Sequence, residues 1–220
     1  MPAACHFVTF RLVDIIPKFV RDQLKVRRHD LLAQAPPDPI SPSAHREQIH
    51  KTIFVEYEAF LDKQDSGVQW LKDARIASLV RSSLHFLHGK KYFLFAYCIM
   101  PNHVHALFQP LAGLETRSGE MVIGESEDAR SPLSSIMHSL KSYTAHEANK
   151  LLHRKGQFWQ HESYDHWVRD AAELERIVHY INANPVRALL VDDPVNWFWG
   201  SAHERYLLDG ERSGWLRLRD

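Results

Sequence analysis

The sequence predicts an α+β fold of the split βαβ plan, an antiparallel sheet with helices packed on one face, in a chain of 220 residues. Three observations carry that expectation. Segments with strand and helix periodicity follow one another as strand, helices, strand, strand, helix, strand, helix. The two middle strands are separated only by Pro101-Asn102, so they form a hairpin and run antiparallel. The composition, 45% hydrophobic with 27 basic and 27 acidic side chains, is that of an ordinary globular chain able to bury a core.

The elements follow in order. His6 to Val13 alternates bulky apolar with smaller or polar residues and reads as a strand. From Pro17 to Ala35, Phe19, Leu24, Val26 and Leu31-Leu32 fall near one face of a helix, and the prolines between Ala35 and Pro42 end it in a loop. A second helix is expected from Ala44 to about Lys63, stopped by Asp65-Ser66-Gly67. Asp73 to His88 carries Ile76, Leu79-Val80, Leu84 and Leu87 at helical spacing. Lys91 to Met100 and His103 to Phe108 are the hairpin strands. Gly113 to Arg130 is rich in Glu and Gly without an apolar period and reads as a solvated acidic loop. A helix from Pro132 to about Leu152 has Ser131 as cap and proline at its first position. Phe158 to Val168 is expected to be extended, and Ala171 to about Asn184 helical, opened by a capping box of Asp170 and Glu173. The whole is read as a single domain over residues 1–220, with a helical insertion at 18–63 and the acidic loop at 111–131.

Several function classes fall away on composition. No apolar stretch reaches the roughly 18 residues of a membrane span, and the N-terminus lacks the basic-then-apolar pattern of a secretory signal. Two cysteines, Cys5 and Cys98, suit a reducing cytoplasm and are too few for a disulfide framework or a thiolate zinc site. A formal charge of zero weighs against a broad nucleic-acid surface. That zero is nevertheless an average. Arg11 to Asp30 holds an excess of three positive charges, Ser131 to Gly156 the same, and Gly113 to Arg130 an excess of three negative ones. The chain also holds 15 histidines.

Two of those histidines form the sharpest motif, Met100-Pro101-Asn102-His103-Val104-His105. Residues two apart on a strand share a face, so His103 and His105 present their imidazoles together while Val104 enters the other side. Two imidazoles are half of a divalent-metal site; alone, the spacing is weak evidence, and the pair reads more readily as hydrogen-bonded histidines beside a turn. On the last helix, Tyr180 and Asn184 lie four apart and therefore stack on one face. They could offer a phenol and an amide oxygen to a metal, or be a core-edge tyrosine and a helix-ending asparagine before Pro185.

Taken with their surroundings, these stretches resemble the REP-associated tyrosine transposases, a branch of the single-tyrosine HUH transposases. The resemblance runs through HFVTFRL, AYCIMPNHVHALFQP, LSSIMHSLKSYTAHEANKLLHRKGQFWQHESYDHWVRD, LERIVHYINANPVRALLV and WFWGSAHERY, from about Cys5 to Tyr206. Lys18 to Lys51 and the acidic loop match poorly and look like insertions. The resemblance implies the ferredoxin-like HUH endonuclease fold, Tyr180 as nucleophile, and His103, His105 and Asn184 as ligands of Mg²⁺ or Mn²⁺. It implies a metal-dependent single-stranded DNA endonuclease and strand transferase that cleaves near hairpin-forming repeats through a 5′-phosphotyrosine. Tyr164, in Ser163-Tyr164-Asp165-His166, is the competing nucleophile; it lacks an amide or carboxylate at helical spacing.

For the substrate, Lys141, Lys150, Arg154 and Lys155 are candidate phosphate contacts, with Arg75, Arg81, Lys90 and Lys91 as a second positive stretch. Phe158, Trp159 and Trp167 either stack on unpaired bases or belong to the core. The expected partner is single-stranded or hairpin DNA of short palindromic repeats, with no membrane, a monomer or homodimer, and a cytoplasmic, nucleoid-associated setting. Two other readings stay open: a domesticated hairpin-binding protein without transposition activity, and an unrelated metallohydrolase in which Tyr180 is expendable.

Overall fold

The computed structural model describes residues 4–37, 39–61, 67–111 and 131–203. The acidic loop, Lys63, Asp65, Ser66 and Tyr206 lie outside them. Four strands, β1 (His6–Arg11), β2 (Tyr92–Ile99), β3 (His103–Pro110) and β4 (Tyr164–Trp167), form one sheet in the order β2-β3-β1-β4. Every pairing is antiparallel, with Thr9 opposite His105 and Arg11 opposite His103 in the central pair. Among the described residues five α-helices accompany it: α1 (Lys18–Ala33), α2 (Pro42–Leu61), α3 (Ala74–Leu87), α4 (Pro132–Leu151) and α5 (Ala171–Arg187). This is the split βαβ arrangement, with α1 and α2 inserted between β1 and the crossover helix α3. No helix among the described residues is long and apolar enough to cross a membrane.

Strand alternation divides the side chains between two faces. Val8, Phe10, Val104, Ala106 and Phe108 point to one side and pack with Ile76, Val80 and Leu84 of α3 and Ile136 and Leu140 of α4. The intervening residues Phe7 and Leu107 point to the other and pack with Val178 and Ile181 of α5, with Phe54 of α2 alongside. The crossover helices thus share one face as expected, but the opposite face is covered as well, by α5 and α2. An exposed apolar face is not tolerated on a sheet whose alternate residues are also bulky. On β2 a bulge lies between Leu94 and Ala96, leaving Phe95 as the extra residue. Leu94 therefore joins the α3–α4 side while Phe95 and Ala96 both sit on the α5 side, after which alternation resumes.

Two boundaries depart from the sequence reading. The extended stretch expected from Phe158 contributes to the sheet only from Tyr164. Trp159 bridges Leu12 and Tyr164 pairs with Thr9, so four residues, 160–163, face only Phe10 and Arg11 on β1. The surplus is turned aside onto Lys141, whose Nζ donates to the carbonyls of Gln160 and His161 at 2.6 and 2.8 Å. Helix α5 runs past Pro185 to Arg187. It then closes with Leu189 at φ 56°, where Leu189 N–H donates to Val186 O and Leu190 N–H to Pro185 O, both at 2.9 Å.

Candidate metal and tyrosine site

Antiparallel register sets the geometry of the histidine pair. His103 and His105 lie on the α5 face of β3, fully buried, with their Nε2 atoms 3.0 Å apart. Each outer nitrogen has a fixed neighbour. Asn102 Nδ2 donates to Leu61 O at 2.9 Å, which turns Asn102 Oδ1 towards His103 Nδ1 at 2.6 Å. His103 Nδ1 must therefore carry the proton, leaving the Nε2 lone pair aimed at the site. His105 Nδ1 lies 2.7 Å from Thr9 Oγ1, its cross-strand partner. Imidazoles oriented through the far nitrogen in this way are typical of metal ligation. Burial, and then the neighbouring His105, pushes the His103 imidazole down to about 3, so it stays neutral and available as a donor.

Helix α5 brings the other two residues. Leu174, Ile177, Val178 and Ile181 hold its apolar stripe on the sheet, and one turn apart on the adjoining stripe come Tyr180 and Asn184. Asn184 is fully buried; its Nδ2 donates to His105 Nε2 at 3.1 Å, while its Oδ1 has no hydrogen-bond partner. The Tyr180 ring meets His105 edge-on at 5.5 Å. His179, its neighbour in sequence, is exposed on the outside of the helix.

A fifth residue enters from the insertion. Glu58 of α2 is 3% exposed, accepts a hydrogen bond from Tyr180 OH at 2.6 Å, and sets Oε2 3.1 Å from His105 Nε2. Its other oxygen, Oε1, has no partner. Burial would raise this carboxyl, but the adjacent His105, aided by His103 and Tyr180, outweighs it and holds Glu58 down at about 2. The sequence reading missed Glu58. The available signal was an acid between Phe54 and Leu61 at the spacing of a buried helical stripe, where a carboxylate needs a partner.

Glu58, His103 and His105 converge closely enough to hold one metal ion. The donor chemistry fits a divalent cation: two imidazole nitrogens, with Glu58 Oε1 and Asn184 Oδ1 as buried oxygens whose hydrogen-bonding capacity nothing else in the described residues meets. A buried carbonyl or carboxylate oxygen left this way costs about 1–3 kcal/mol or more, a cost a cation at this point removes.

The remaining sequence candidates lie elsewhere or are already engaged. Tyr164 stacks on Phe54 at 4.0 Å, and burial followed by Asp165 pushes its phenol up to about 12. Lys141 also donates to Ser163 Oγ at 3.2 Å, and burial with the nearby Arg11 lowers its amine to about 8. Lys150 pairs with Glu147 at 2.9 Å. Arg154 donates to Asn149 Oδ1 at 2.6 Å and lies over the Trp70 ring at 3.9 Å. Lys155 is exposed. In the second positive stretch, Arg75 pairs with Asp73 at 2.6 Å, Arg81 lies over Phe198 at 5.2 Å and Lys90 over Phe86 at 3.4 Å. Phe158 and Trp159 belong to the core, with Trp159 Nε1 donating to Thr144 Oγ1 at 2.9 Å, whereas Trp167 is exposed.

No protein-family model matches the chain. A Haemophilus influenzae protein described as a REP-associated tyrosine transposase is 25% identical over 108 residues, which make up 49% of this chain and 57% of that protein. The chain thus spans less than two thirds of that relative's length. A solved structure of a REP-associated tyrosine transposase bound to a REP hairpin superposes with a TM-score of 0.53 at 14% identity, covering 94% of this chain and 81% of the other. At that identity the superposition speaks for the fold, and it does so over nearly the whole chain. In sequence over about half of its length, and in fold over nearly all of it, the chain is similar to REP-associated tyrosine transposases.

Proposed function

We propose that the chain is a metal-dependent single-stranded DNA endonuclease and strand transferase acting beside hairpin-forming repeats, with Tyr180 as nucleophile. The observation that supports this most is the convergence on His105 of a second imidazole, two unsatisfied buried oxygens and a tyrosine hydroxyl, all from one chain. That completeness suits a monomer. His103, His105, Asn184 and Glu58 would hold Mg²⁺ or Mn²⁺, which when bound withdraws charge from a scissile phosphate.

The protein's own groups do the rest. Asn102 and Thr9 keep the two imidazoles in register. Glu58 Oε2 accepts a hydrogen bond from the Tyr180 hydroxyl and holds it in the site, and because its neighbours hold this carboxyl below the usual carboxylate range it is a weak base for a phenolic proton. Glu58 is therefore an orienting acceptor in this arrangement. Tyr180 Oη forms a bond to phosphorus as the bond to the 3′ oxygen breaks, leaving a 5′-phosphotyrosine and a free 3′-hydroxyl. A 3′-hydroxyl reverses the step on the same or another strand, so rejoining needs no ATP. Lys141, Lys150, Arg154 and Lys155 would contact phosphate, the first three by exchanging their present partners for it. The reaction belongs on nucleoid DNA in the cytoplasm.

A labelled single-stranded hairpin incubated with Mn²⁺ should yield a covalent protein–DNA band that Tyr180→Phe abolishes. An adduct that survives Tyr180→Phe and disappears in Tyr164→Phe would move the nucleophile. The hydrogen bond that ties Tyr180 to Glu58 favours a second reading, hairpin binding without chemistry; a shifted hairpin with no adduct from any of the organism's own repeats would select it.

A further inference from the structure

We infer that α1 and α2, together with the end of β1, form a cationic cleft that holds the phosphates of the single DNA strand running into the Tyr180 site. This rests on the function proposed above and adds a path for the substrate that is separate from the α4 residues. A cleft of about 290 Å³ lies between the two helices, β1 and residues 160–164. Arg11, Arg21, Lys25 and Arg28 line it, and at its inner end are Thr9 and Glu58. Thr9 and Glu58 also contact His105, and Glu58 accepts from Tyr180 OH, so the cleft shares two residues with the histidine and tyrosine site.

The charge in this cleft is unbalanced. Its lining acids are Glu58 and Glu162, and both are engaged: Glu58 with Tyr180 and His105, Glu162 with Gln160 Nε2 at 2.7 Å. Among the described residues none of the four cations forms an ion pair. Their contacts are neutral and long: Arg11 lies 5.2 Å over the Tyr57 ring, Arg21 reaches Gln160 Oε1 at 3.4 Å, and Arg28 reaches His50 at 3.4 Å. Other cations on the same surfaces find carboxylates: Arg27, also on α1, meets Glu56 at 2.9 Å, and Arg169 meets Glu47 at 2.7 Å. Four cations against the two carboxylates of the lining leave an excess of two positive charges, which an external anion would balance.

Shape and spacing point to a single strand. Positions 21, 25 and 28 lie on one helical face and span about 10 Å along α1, a linear array suited to successive phosphates. The volume is at the small end for a ligand pocket and cannot admit a duplex, whose major groove alone is about 12 Å wide. Tyr57 and Tyr164 in the walls offer faces on which an unpaired base can stack regardless of its identity.

The test measures oligo-dT binding to the full chain as a function of salt, for wild type and for Arg21→Ala/Lys25→Ala/Arg28→Ala. Arg11 is left in place because it is part of the packing around Tyr57. Each lost phosphate contact lowers the slope of log affinity against log salt by about 0.7, so the triple variant should lose about 2 from the slope and tenfold or more in affinity at 50 mM salt. Lys25→Glu, a single change at an exposed position, should weaken binding several-fold in the same direction and covers the case in which the triple variant does not fold. Unchanged slope and affinity in both variants overturn the inference, as does a loss confined to Lys150→Ala/Lys155→Ala. A Tyr180 adduct in wild type with an unchanged slope in the triple variant removes the cleft and leaves the nuclease reading. A reduced slope with no adduct in wild type removes the nuclease reading and leaves the cleft.

Discussion

Val104 and His105 are neighbours in β3, yet they belong to chemically opposite compartments. On the side of Val104, the sheet meets α3 and α4 through Val8, Phe10, Leu84, Phe108 and Leu140, and the fully buried hydroxyl of Thr144 is paired, to Trp159 and to Leu140 O, with His6 Nδ1 at the start of β1 as an unmatched buried nitrogen. On the side of His105, the same strands carry Thr9 and His103, and α2 and α5 add Glu58, Tyr180 and Asn184, with two oxygens left unsatisfied. One sheet thus carries a mainly apolar packing on one face and gathers imidazoles, a carboxylate, an amide and a phenol, with two unmatched oxygens, on the other. Sites that violate the rule of paired burial are where function is expected.

Mutations can break or sharpen this contrast. The largest effect expected is that of His103→Ala, which should reduce cleavage by about a thousandfold or more while hairpin affinity changes less than about threefold, because phosphate contacts persist. Cleavage gels beside a binding titration check it, and an equal loss of binding would make the histidines structural. Next comes Leu84→Ala on the sealed face, with the opposite profile. It should lower stability by about 2–5 kcal/mol in urea melts and leave adduct formation by the folded fraction near wild type.

The elements themselves were largely legible because their periods are local properties. Ile76, Val80 and Leu84 mark α3 at helical spacing, and the alternation around His103-Val104-His105 correctly assigns the two faces of β3. What is not local could not be read. Glu58 becomes a site residue only because α1 and α2 fold back over β1, a tertiary choice with no signature in the α2 segment beyond one acid on an apolar stripe. Likewise, counting charges on α4 could not reveal that backbone carbonyls displaced by the surplus residues 160–163 already occupy Lys141. Pro185 was a misleading stop signal: it costs one backbone bond in the final turn, and the Leu189 closure that follows keeps the helix intact and Asn184 buried. Where the reading of the site residues drew on resemblance, their positions in the fold give them a physical setting.

Two smaller effects probe how the polar face is held. Thr9→Val is close in shape and removes the hydroxyl facing His105 Nδ1. It should weaken Mn²⁺ binding about 10–100-fold, measured by electron paramagnetic resonance titration, with little change in melting temperature. Glu173 lies at the start of α5, where Arg169 donates to both its oxygens and His166 to one. Lys51 of α2 sits 3.5 Å away. Hydrogen bonds from Arg169, opposed by burial and reinforced by His166, hold this carboxyl well below the usual range. Since the folded value is depressed, the stabilisation is complete above the unfolded value of about 4.3 and fades as pH falls below it. Glu173→Gln should therefore cost about 2 kcal/mol at pH 7 and progressively less as urea melts are repeated towards pH 3. A difference that stays constant with pH would mean that the amide loses shape complementarity instead of charge.

The bulge at Phe95 bears on the whole arrangement through parity. A strand's side chains are assigned to faces by odd and even position, and an uninterrupted β2 would have one assignment from end to end. The single extra residue inverts the count, so Tyr92 and Leu94 before it share a compartment with Tyr97 and Ile99 after it, while small Ala96 and Cys98 floor the side where α5 approaches. Pairing β2 with Phe95 kept but without the bulge would shift that frame by one beyond Leu94 and exchange the two sets there, thrusting the Tyr97 ring beneath α5 and unseating the helix that carries Tyr180 and Asn184, whereas deleting Phe95 would leave a regular strand with the present assignment.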